Sequence, residues 1–437
     1  MPSARFSRRQ LLALPAAGLG AAMVRSRFGR SGDIPLDTIS VLAPLLPDPA
    51  PPGVLEYLMP GIEIWEARHQ AQVNYETSAV ENMKAKILIN FRQGYHMHDV
   101  MYCAGWAQEI AGWLSPLDTL ISPSLRADLP PWSLESFRWR GKTYGLPSAA
   151  NPMILFGNQS MLASGGIDRL PSTWDDLEAA AKAMTGAGAY GWTMPAGQTG
   201  GSGGLMSHWL IFLLQAGGEL FGIDGRPAFV NDAGVAAIEM LKRLLPWSDP
   251  LTLQYKSILD ASAVFMRGKA AMMMNWAVMH RSLSDPQLSA SADHVVTGIL
   301  PAGPAGTASI DTGDGWTIDS RTWVAAKSMA LIQYYLQPRV QMQMLTQTGW
   351  LPISIAALED PQVQMQAPHA ATVREQLRSR IESGFRPNYD VLTRVIGDEV
   401  RDALLNKQSP INALRAAREQ LIAAANTGWG SRSSASV

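Results

Sequence analysis

The sequence predicts an α/β protein, and three observations carry this prediction. Its 437 residues are 47% hydrophobic and 17% charged, which supplies a large buried core and is too apolar for a disordered chain. Short β-branched and apolar runs alternate with amphipathic helical runs, a rhythm typical of a mainly parallel sheet with helices on both faces. The length predicts two domains and leaves a third open.

The first part of the body is predicted to contain three strands separated by helices. In chain order these are a strand at 38–44, a helix at 53–70, a strand at 71–77, a helix at 79–92, a strand at 99–103 and a helix at 106–113. Ser78, with Glu81 three residues later, resembles a capping box, and this pair marks the start of the second helix.

A second series of elements follows residues 141–147. In chain order it comprises a strand at 153–156, a helix at 174–184, a strand at 189–194, helices at 207–217, 233–245 and 261–267, a strand at 271–276, and helices at 325–336, 373–383, 391–405 and 410–425. Thr173 is the predicted N-cap of the first of these helices. No low-complexity linker divides the chain, so two lobes would be joined by short crossings. Gly and Ser are frequent from Thr427 onward, and residues 431–437 are predicted to be a disordered tail.

The charge distribution separates the amino terminus from the body. The net charge is -1, but residues 1–30 hold six arginines and no acidic residue. Subtracting these six from the 36 basic residues leaves 30 against 37 acidic residues, a balance of -7. Nucleic-acid binding requires clustered Lys and Arg, so the body is not predicted to bind nucleic acid. It also lacks the polybasic face of a membrane-surface binder.

Cysteine and histidine usage predicts neither a cofactor nor a metal site. A single cysteine, Cys103, excludes an internal disulfide and a cysteine-rich zinc or iron–sulfur centre. His96, His98 and Asp99 could supply metal ligands, but no third histidine lies nearby, and a structural or solvated pair is the preferred interpretation. The glycine-rich stretch 197–204 lacks the Lys-Ser/Thr of a nucleotide loop and is interpreted as a flexible loop beside a cleft.

The amino terminus predicts export. The sequence SRRQLL at 7–12 precedes the short apolar stretch ALPAAGLGAAMV, and together they resemble a twin-arginine signal. Residues 1–34 are therefore assigned to an export signal and linker, and the body is expected in the periplasm. Cleavage is expected near Ala22, while an uncleaved form that anchors the protein to the membrane stays open.

Short motifs along the body occur in a characteristic order. They are HDV at 98–100, GWLSPLD at 112–118, GKTYGLP at 141–147, FGN at 156–158, PSTWDDL at 171–177, GGELF at 217–221, FMRGKAAM at 265–272, DGWTI at 314–318 and GWLP at 349–352. Collectively they resemble the extracellular solute-binding proteins of family 1, the carbohydrate-binding, maltodextrin-binding-like type that serves ABC importers. Two motifs depart from the usual forms, since FGN stands where Y-N is common and DGW where Gly-Gly is common.

The resemblance implies the two-lobe periplasmic-binding-protein fold of type II, with a ligand cleft between lobes joined by three crossings. Lobe 1 would take residues 35–148 and 304–352, and lobe 2 would take 149–303 and 353–430. Such a protein closes around its solute as a hinge and presents the closed shape to a membrane permease. It is expected to be a monomer and to carry out no chemistry, so no catalytic residue is predicted.

Tryptophan is abundant, with 14 residues, and could supply flat apolar surface for sugar rings. Trp276 follows the strand of FMRGKAAM and Trp316 lies in a glycine-rich stretch, both at positions where the family projects residues into the cleft. Trp106 lies at the carboxyl end of the third strand, where open α/β sheets place ligands. Core packing is the alternative for each, and it is the preferred interpretation for Trp209 and Trp350.

Polar groups for the solute hydroxyls are expected at strand ends and near the presumed crossings. The predicted contacts are Glu76, Ser78, Asp48, Asn151, Asp311 and Asp314. Carboxylates accept hydrogen bonds from hydroxyls and repel anions, so this set favours a neutral polyhydroxy solute. Solvated surface carboxylates are the alternative.

The sequence therefore predicts an exported receptor that delivers a sugar or related polyhydroxy solute to an ABC importer. Two alternatives stay open. The same fold could take a polyamine, an amino-acid derivative or a metal complex, because an aromatic cage also binds cations. A periplasmic enzyme that uses the same cleft is the less favoured alternative.

Overall fold

The chain forms two main β-sheets flanked by helices, together with two two-stranded pairs, in a computed structural model that describes residues 37–44, 61–197, 204–383 and 388–426. The strands are β1 (Asp37–Pro44), β2 (Ala71–Ser78), β3 (Val100–Ala104), β4 (Arg138–Trp139), β5 (Lys142–Thr143), β6 (Gly145–Pro147), β7 (Met153–Asn158), β8 (Tyr190–Trp192), β9 (Ala270–Trp276), β10 (Val295–Gly298), β11 (Ala308–Asp311), β12 (Asp314–Ile318) and β13 (Arg380–Ser383). The export segment 1–34, Asp48, most of the glycine-rich stretch 197–204 and the tail 431–437 lie outside the described residues.

The helices cover the faces of both sheets. They are α1 (Ile62–His69), α2 (Val80–Arg92), α3 (Ala107–Ile110), α4 (Pro123–Asp128), α5 (Pro131–Glu135), α6 (Gln159–Ser164), α7 (Trp174–Ala183), α8 (Leu205–Gln215), α9 (Asp232–Leu244), α10 (Ile258–Met266), α11 (His280–Leu283), α12 (Ala325–Tyr335), α13 (Pro338–Thr348), α14 (Ile355–Leu358), α15 (Pro361–Gln366), α16 (Ala370–Gln376), α17 (Tyr389–Leu404) and α18 (Pro410–Ala424). Among the described residues no helix is long and apolar enough to cross a membrane.

The first sheet has the strand order β2-β1-β3-β12-β6, and the second has the order β10-β7-β9-β8, while the two-stranded pairs are β11-β13 and β4-β5. We call the bodies around the two main sheets lobe 1 and lobe 2. The α/β prediction is confirmed, but a mainly parallel sheet is wrong for lobe 2, where β7 runs antiparallel to β9 and β10. In lobe 1, β1 is parallel to β2 and β3, whereas β12 is antiparallel to β3 and β6.

The direction of β12 follows from where it enters its sheet. The turn before β12 lies at the carboxyl end of β3, where the Gly105 N–H donates to the Gly313 carbonyl at 3.2 Å. A strand that enters a sheet at the carboxyl end of its neighbour must run antiparallel to it. The alternation of strands and helices in the sequence does not reveal this entry point.

Apolar strands buried on both faces form the core of lobe 2. Along β7, Met153 and Leu155 pack in one hydrophobic cluster and Ile154 and Phe156 pack in another. A strand that is covered on both faces has a continuous apolar sequence. Because β7 and β9 have such sequences, both strands could be predicted from the sequence. Helices α8, α9, α17 and α18 cover one face of this sheet.

Several predicted helix boundaries hold, and two predictions fail. Thr173 caps α7 as predicted, since its Oγ1 accepts a hydrogen bond from the Asp176 N–H at 3.2 Å. Ser78 does not cap α2, because it is the last residue of β2 and Ala79 is the N-cap, with no side-chain cap bond. The predicted helix at 373–383 ends at Gln376.

The residues that follow form strand β13 instead of helix. Arg380–Ser383 pairs in parallel with β11, from Ala308 opposite Arg380 to Asp311 opposite Ser383. Tertiary pairing with a partner 72 residues away along the chain overrides the local helical pattern here, as strand partners often do.

The cap of α7 gives a direct test of this local structure. Thr173→Ala is expected to lower the free energy of unfolding by about 1 kcal/mol, because one amide at the helix start loses its acceptor. Thr173→Ser keeps the hydroxyl and should retain most of the stability. Chemical denaturation of the three proteins checks this, and equal losses in both variants would contradict a capping role.

Candidate functional site

Three short segments pass between the two sheets side by side. The first crossing is 148–152, the second is 311–313 and the third is 349–352. The Ala150 N–H donates to the Leu351 carbonyl at 3.0 Å, and Pro152 forms a β-bridge with Asp311. Adjacent, hydrogen-bonded crossings restrict the lobes to a hinge motion about one line.

Asn151 and Asp311 join these crossings. The Asp311 carboxylate accepts the Asn151 N–H at 2.9 Å and the Gly313 N–H at 2.8 Å. The Asn151 Oδ1 accepts the Val278 N–H at 3.0 Å, which ties the first crossing to the residues after β9. Both predicted polar residues therefore lie at the hinge, with these groups engaged within the protein.

The side chains of Asp311 and Asp314 are buried at the hinge, and this burial raises the pKa of both carboxyl groups. Burial raises the pKa of Asp311 to about 7, opposed by the hydrogen bonds from the Gly313 and Asn151 amides. Burial also raises the pKa of Asp314 to about 6, opposed by hydrogen bonds from the Thr312 and Tyr102 hydroxyls. Both carboxyl groups therefore carry less negative charge near neutral pH than exposed aspartates would.

Trp106 and Trp276 lie at the strand ends that border the crossings. Trp106 is the N-cap residue of α3, directly after Gly105, whose amide contacts the turn of the second crossing. Trp276 is the last residue of β9 and lies opposite Met153. The two indoles are 6% and 5% exposed, so each is largely covered by protein in this structure.

Trp316 lies inside β12 and belongs to the core of lobe 1. It is 2% exposed, and its ring centroid lies 5.4 Å from that of Tyr102 and 5.0 Å from that of Tyr335. A side chain at Gly315 would overlap the Leu146 carbonyl, so this glycine serves the close approach of β6. The glycine beside Trp316 is therefore required by strand packing within lobe 1.

Glu76 and Ser78 end β2, and their polar groups contact other residues of lobe 1. Glu76 is ion-paired with Lys86, and its Oε2 lies 2.9 Å from the His98 Nε2. Burial, followed by the charge of Lys86, lowers the pKa of His98 to about 4, so the imidazole is neutral and donates to Glu76. The Ser78 hydroxyl donates to the Ala79 carbonyl at 3.3 Å.

His96 and His98, for which the sequence favours a structural or solvated pair over metal ligation, each lie beside a carboxylate. His96 Nε2 is 3.2 Å from an Asp99 oxygen, and both histidines lie in the loop before β3. Across the described residues no group of three or more ligating side chains could hold a metal ion. Trp209 packs in lobe 2 as predicted, with its Nε1 donating to the Gly234 carbonyl at 3.3 Å.

An ion-pair network joins the two lobes. Lys84 Nζ lies 2.9 Å from Glu109 Oε1, within lobe 1, and 3.1 Å from Asp390 Oδ2, at the start of α17 in lobe 2. The Asn388 N–H donates to the same Glu109 oxygen at 2.8 Å. We call Lys84, Glu109, Asn388 and Asp390 the interlobe clasp. The clasp cannot be predicted from local sequence patterns, because its cross-lobe ion pair joins residues 306 positions apart in the chain.

Two α/β lobes are joined by adjacent crossings, and strand ends of both lobes border these crossings. This is the architecture of a binding protein that closes on a ligand. Residues 48–342 match the family described as bacterial extracellular solute-binding protein, and the chain belongs to this family. The two-lobe fold and the family resemblance are thereby confirmed.

Known relatives and structures agree with this assignment. A probable amino-acid ABC transporter periplasmic-binding protein of Sinorhizobium fredii is 26% identical over 360 residues, 78% of this chain and 80% of that protein. Maltose-bound MalE3 of T. maritima superposes with a TM-score of 0.74 at 20% identity, covering 88% of this chain and 98% of that one. A solute-binding protein of Agrobacterium radiobacter K84 in complex with ribitol gives 0.71 at 20% identity, covering 89% and 99%.

The clasp is expected to favour the closed form. Lys84→Gln should lower the affinity for the solute about two- to fivefold, because a partly exposed ion pair contributes little and only the closed state contains it. Small-angle scattering of the ligand-free variant should give a larger radius of gyration. Lys327→Gln is the matched control, since Lys327 pairs with Asp37 inside lobe 1 at 2.8 Å. Equal behaviour of the two variants would contradict the clasp.

The buried hinge carboxylates predict a dependence of stability on pH. The pKa of Asp314 in the folded protein, about 6, exceeds the ordinary aspartate value of about 4, so the native state binds more protons between these values. Its contribution is therefore full below about pH 4 and is lost as the pH rises through about 6. Asp314→Asn should flatten the decline of the thermal midpoint over this range. Asp168→Asn, an exposed control, should leave the slope unchanged.

Proposed function

We propose that the protein is the exported substrate-binding component of an ABC importer, and that it carries a sugar or polyol to the permease unchanged. The observation that carries this proposal is that Trp106, shortly after β3, and Trp276, at the end of β9, both lie beside the hinge crossings. Aromatic rings packed against the C–H faces of a sugar, with polar groups at the edge, are the usual means of holding a neutral polyhydroxy ligand.

The proposed lobes follow the sheets with one adjustment. Lobe 1 takes residues 35–148 and lobe 2 takes 149–303, with lobe 2 resuming at 353–430. The sequence predicts that the chain returns to lobe 1 at residue 304. We place this return after β11, because Ala308 and Ile310 pack in the hydrophobic cluster of lobe 2. Lobe 1 then resumes with β12 and continues to residue 352.

The proposed ligand contacts divide into two groups. Trp106 and Trp276 are the proposed stacking residues, and Glu76 and Ser78 are proposed to reach the solute from the carboxyl end of β2. Asp48 is a further proposed contact. Asn151, Asp311 and Asp314 are proposed to act at the hinge. The bond from Asn151 to Asp311 joins two crossings, and Asp314 accepts a hydrogen bond from Thr312 of the second crossing. For Trp316, burial between Tyr102 and Tyr335 supports a packing role.

The solute class is supported by the structures that the chain resembles. Among them are proteins solved with maltose, with ribitol, with α-D-tagatose and with D-mannitol. All are neutral polyhydroxy compounds, which matches a hinge whose two buried carboxyl groups have raised pKa values.

The proposal also includes export through the twin-arginine route, a periplasmic location, a monomeric state and the absence of enzymatic activity. They rest on the arginine pair Arg8-Arg9 before an apolar stretch and on a family of binding proteins. The uncleaved, membrane-anchored form is the alternative for the amino terminus.

An amino-acid-like or cationic solute is the second candidate. It is favoured by the Sinorhizobium fredii relative, whose name describes a probable amino-acid transporter component. The fold accommodates either class, because specificity depends on the few side chains that face the solute.

Calorimetry against sugars, polyols and amino acids distinguishes the two candidates. A sugar or polyol should bind, and Trp276→Ala should weaken it about tenfold because one stacking surface is lost. Trp323→Ala is the matched control, since this indole is 79% exposed on the far side of lobe 1. Binding of amino acids alone would favour the second candidate, and turnover of a glycoside would contradict both.

A further inference from the structure

A cavity lies on the flank of lobe 1, between α1 and the junction of α12 and α13. It has a volume of about 500 Å³, which is within the size range of small-molecule sites. None of its lining residues lies in a crossing or at the carboxyl end of a strand. The cavity is therefore separate from the proposed solute site.

The floor of the cavity is aromatic. Trp65 and Tyr334 are 3% and 7% exposed. The Trp65 ring stacks on His69 at a centroid distance of 4.2 Å and an angle of 17°. His69 Nδ1 lies 2.9 Å from the Trp65 carbonyl, so it carries the proton of that hydrogen bond and the ring is held in place. A flat apolar group can pack on this surface.

Among the described residues, the rim of the cavity carries two arginines and no carboxylate. Tyr334, Arg68 and Arg339 line the same cavity. Burial raises the pKa of Tyr334, and the charges of Arg339 and Arg68 both oppose this. Within the described part of the chain neither arginine forms an ion pair, and no acidic side chain lines the cavity. Two like charges beside one cavity repel each other, and an anion between them would remove this cost.

The dipole of helix α13 does not favour an arginine at position 339. Arg339 lies in the first turn of α13, where the helix dipole disfavours a positive charge. Arg68, in contrast, lies in the last turn of α1, where a cation is favourable. Arg339 therefore has no helix-stabilising reason to be at the rim.

We propose that this cavity binds an organic carboxylate, with its apolar body on Trp65 and Tyr334 and its carboxylate between Arg68 and Arg339. Guanidinium groups bind carboxylates through paired, charge-assisted hydrogen bonds, and Gln337 adds a neutral donor at the rim. The site is independent of the solute cleft, so the protein would carry two ligands of different chemistry.

Saturation-transfer NMR with benzoate on the full chain tests this. Benzoate should bind saturably, and its neutral isostere benzamide should bind at least about tenfold more weakly, because only the carboxylate engages the arginines. The double variant Arg68→Gln/Arg339→Gln should weaken benzoate by about tenfold or more. Increased salt should weaken it as well.

A second double variant provides the control for lost charge. Arg92→Gln/Arg126→Gln removes two exposed arginines of lobe 1 that do not line the cavity and should leave benzoate binding unchanged. Equal binding of benzoate and benzamide, or equal effects of the two double variants, would overturn the proposal. So would displacement of benzoate by the solute of the cleft, since the two sites share no residue.

Discussion

The carboxylate of Asp311 is the constraint on which the arrangement of the two lobes depends. It accepts one amide from the first crossing and one from the second, so it fixes two connecting segments at a single point. Because the carboxylate is buried, losing either amide partner would leave one of its oxygens without a hydrogen-bond donor away from water, which is costly. The crossings therefore stay together while the sheets on either side can rotate.

The same hinge places the aromatic residues of the proposed site. The turn after Asp311 holds the loop of Trp106 through the Gly105 amide, and Asn151 holds the residues after Trp276 through the Val278 amide. Each lobe thus presents an indole at a position set by the crossings. The clasp, which also joins the lobes, is partly exposed, so it contributes little and can open readily. A fixed hinge and a weak clasp suit a protein that must bind and release.

The structure also changes the electrostatic argument for a neutral solute. Counted in the sequence, the carboxylates near the crossings suggest a negative cleft that accepts hydroxyl hydrogen bonds. Folded, Asp311 and Asp314 are buried with raised pKa values, and Glu76 is ion-paired with Lys86. The negative charge is thereby reduced or compensated inside the protein. A neutral solute remains the expected ligand, and the reason is now the low net charge around the hinge.

The sequence by itself determined the α/β class, the family and most helix and strand positions, because periodicity, the Thr173 cap and the ordered motifs are local properties. It identified Asn151, Asp311 and Asp314 as residues near the crossings, although as ligand contacts. Only the tertiary structure decided the direction of β12, the pairing of β13 with β11, the burial of Trp316 and the clasp between Lys84 and Asp390. Each of these depends on groups that are distant in the chain and meet only when the lobes have formed.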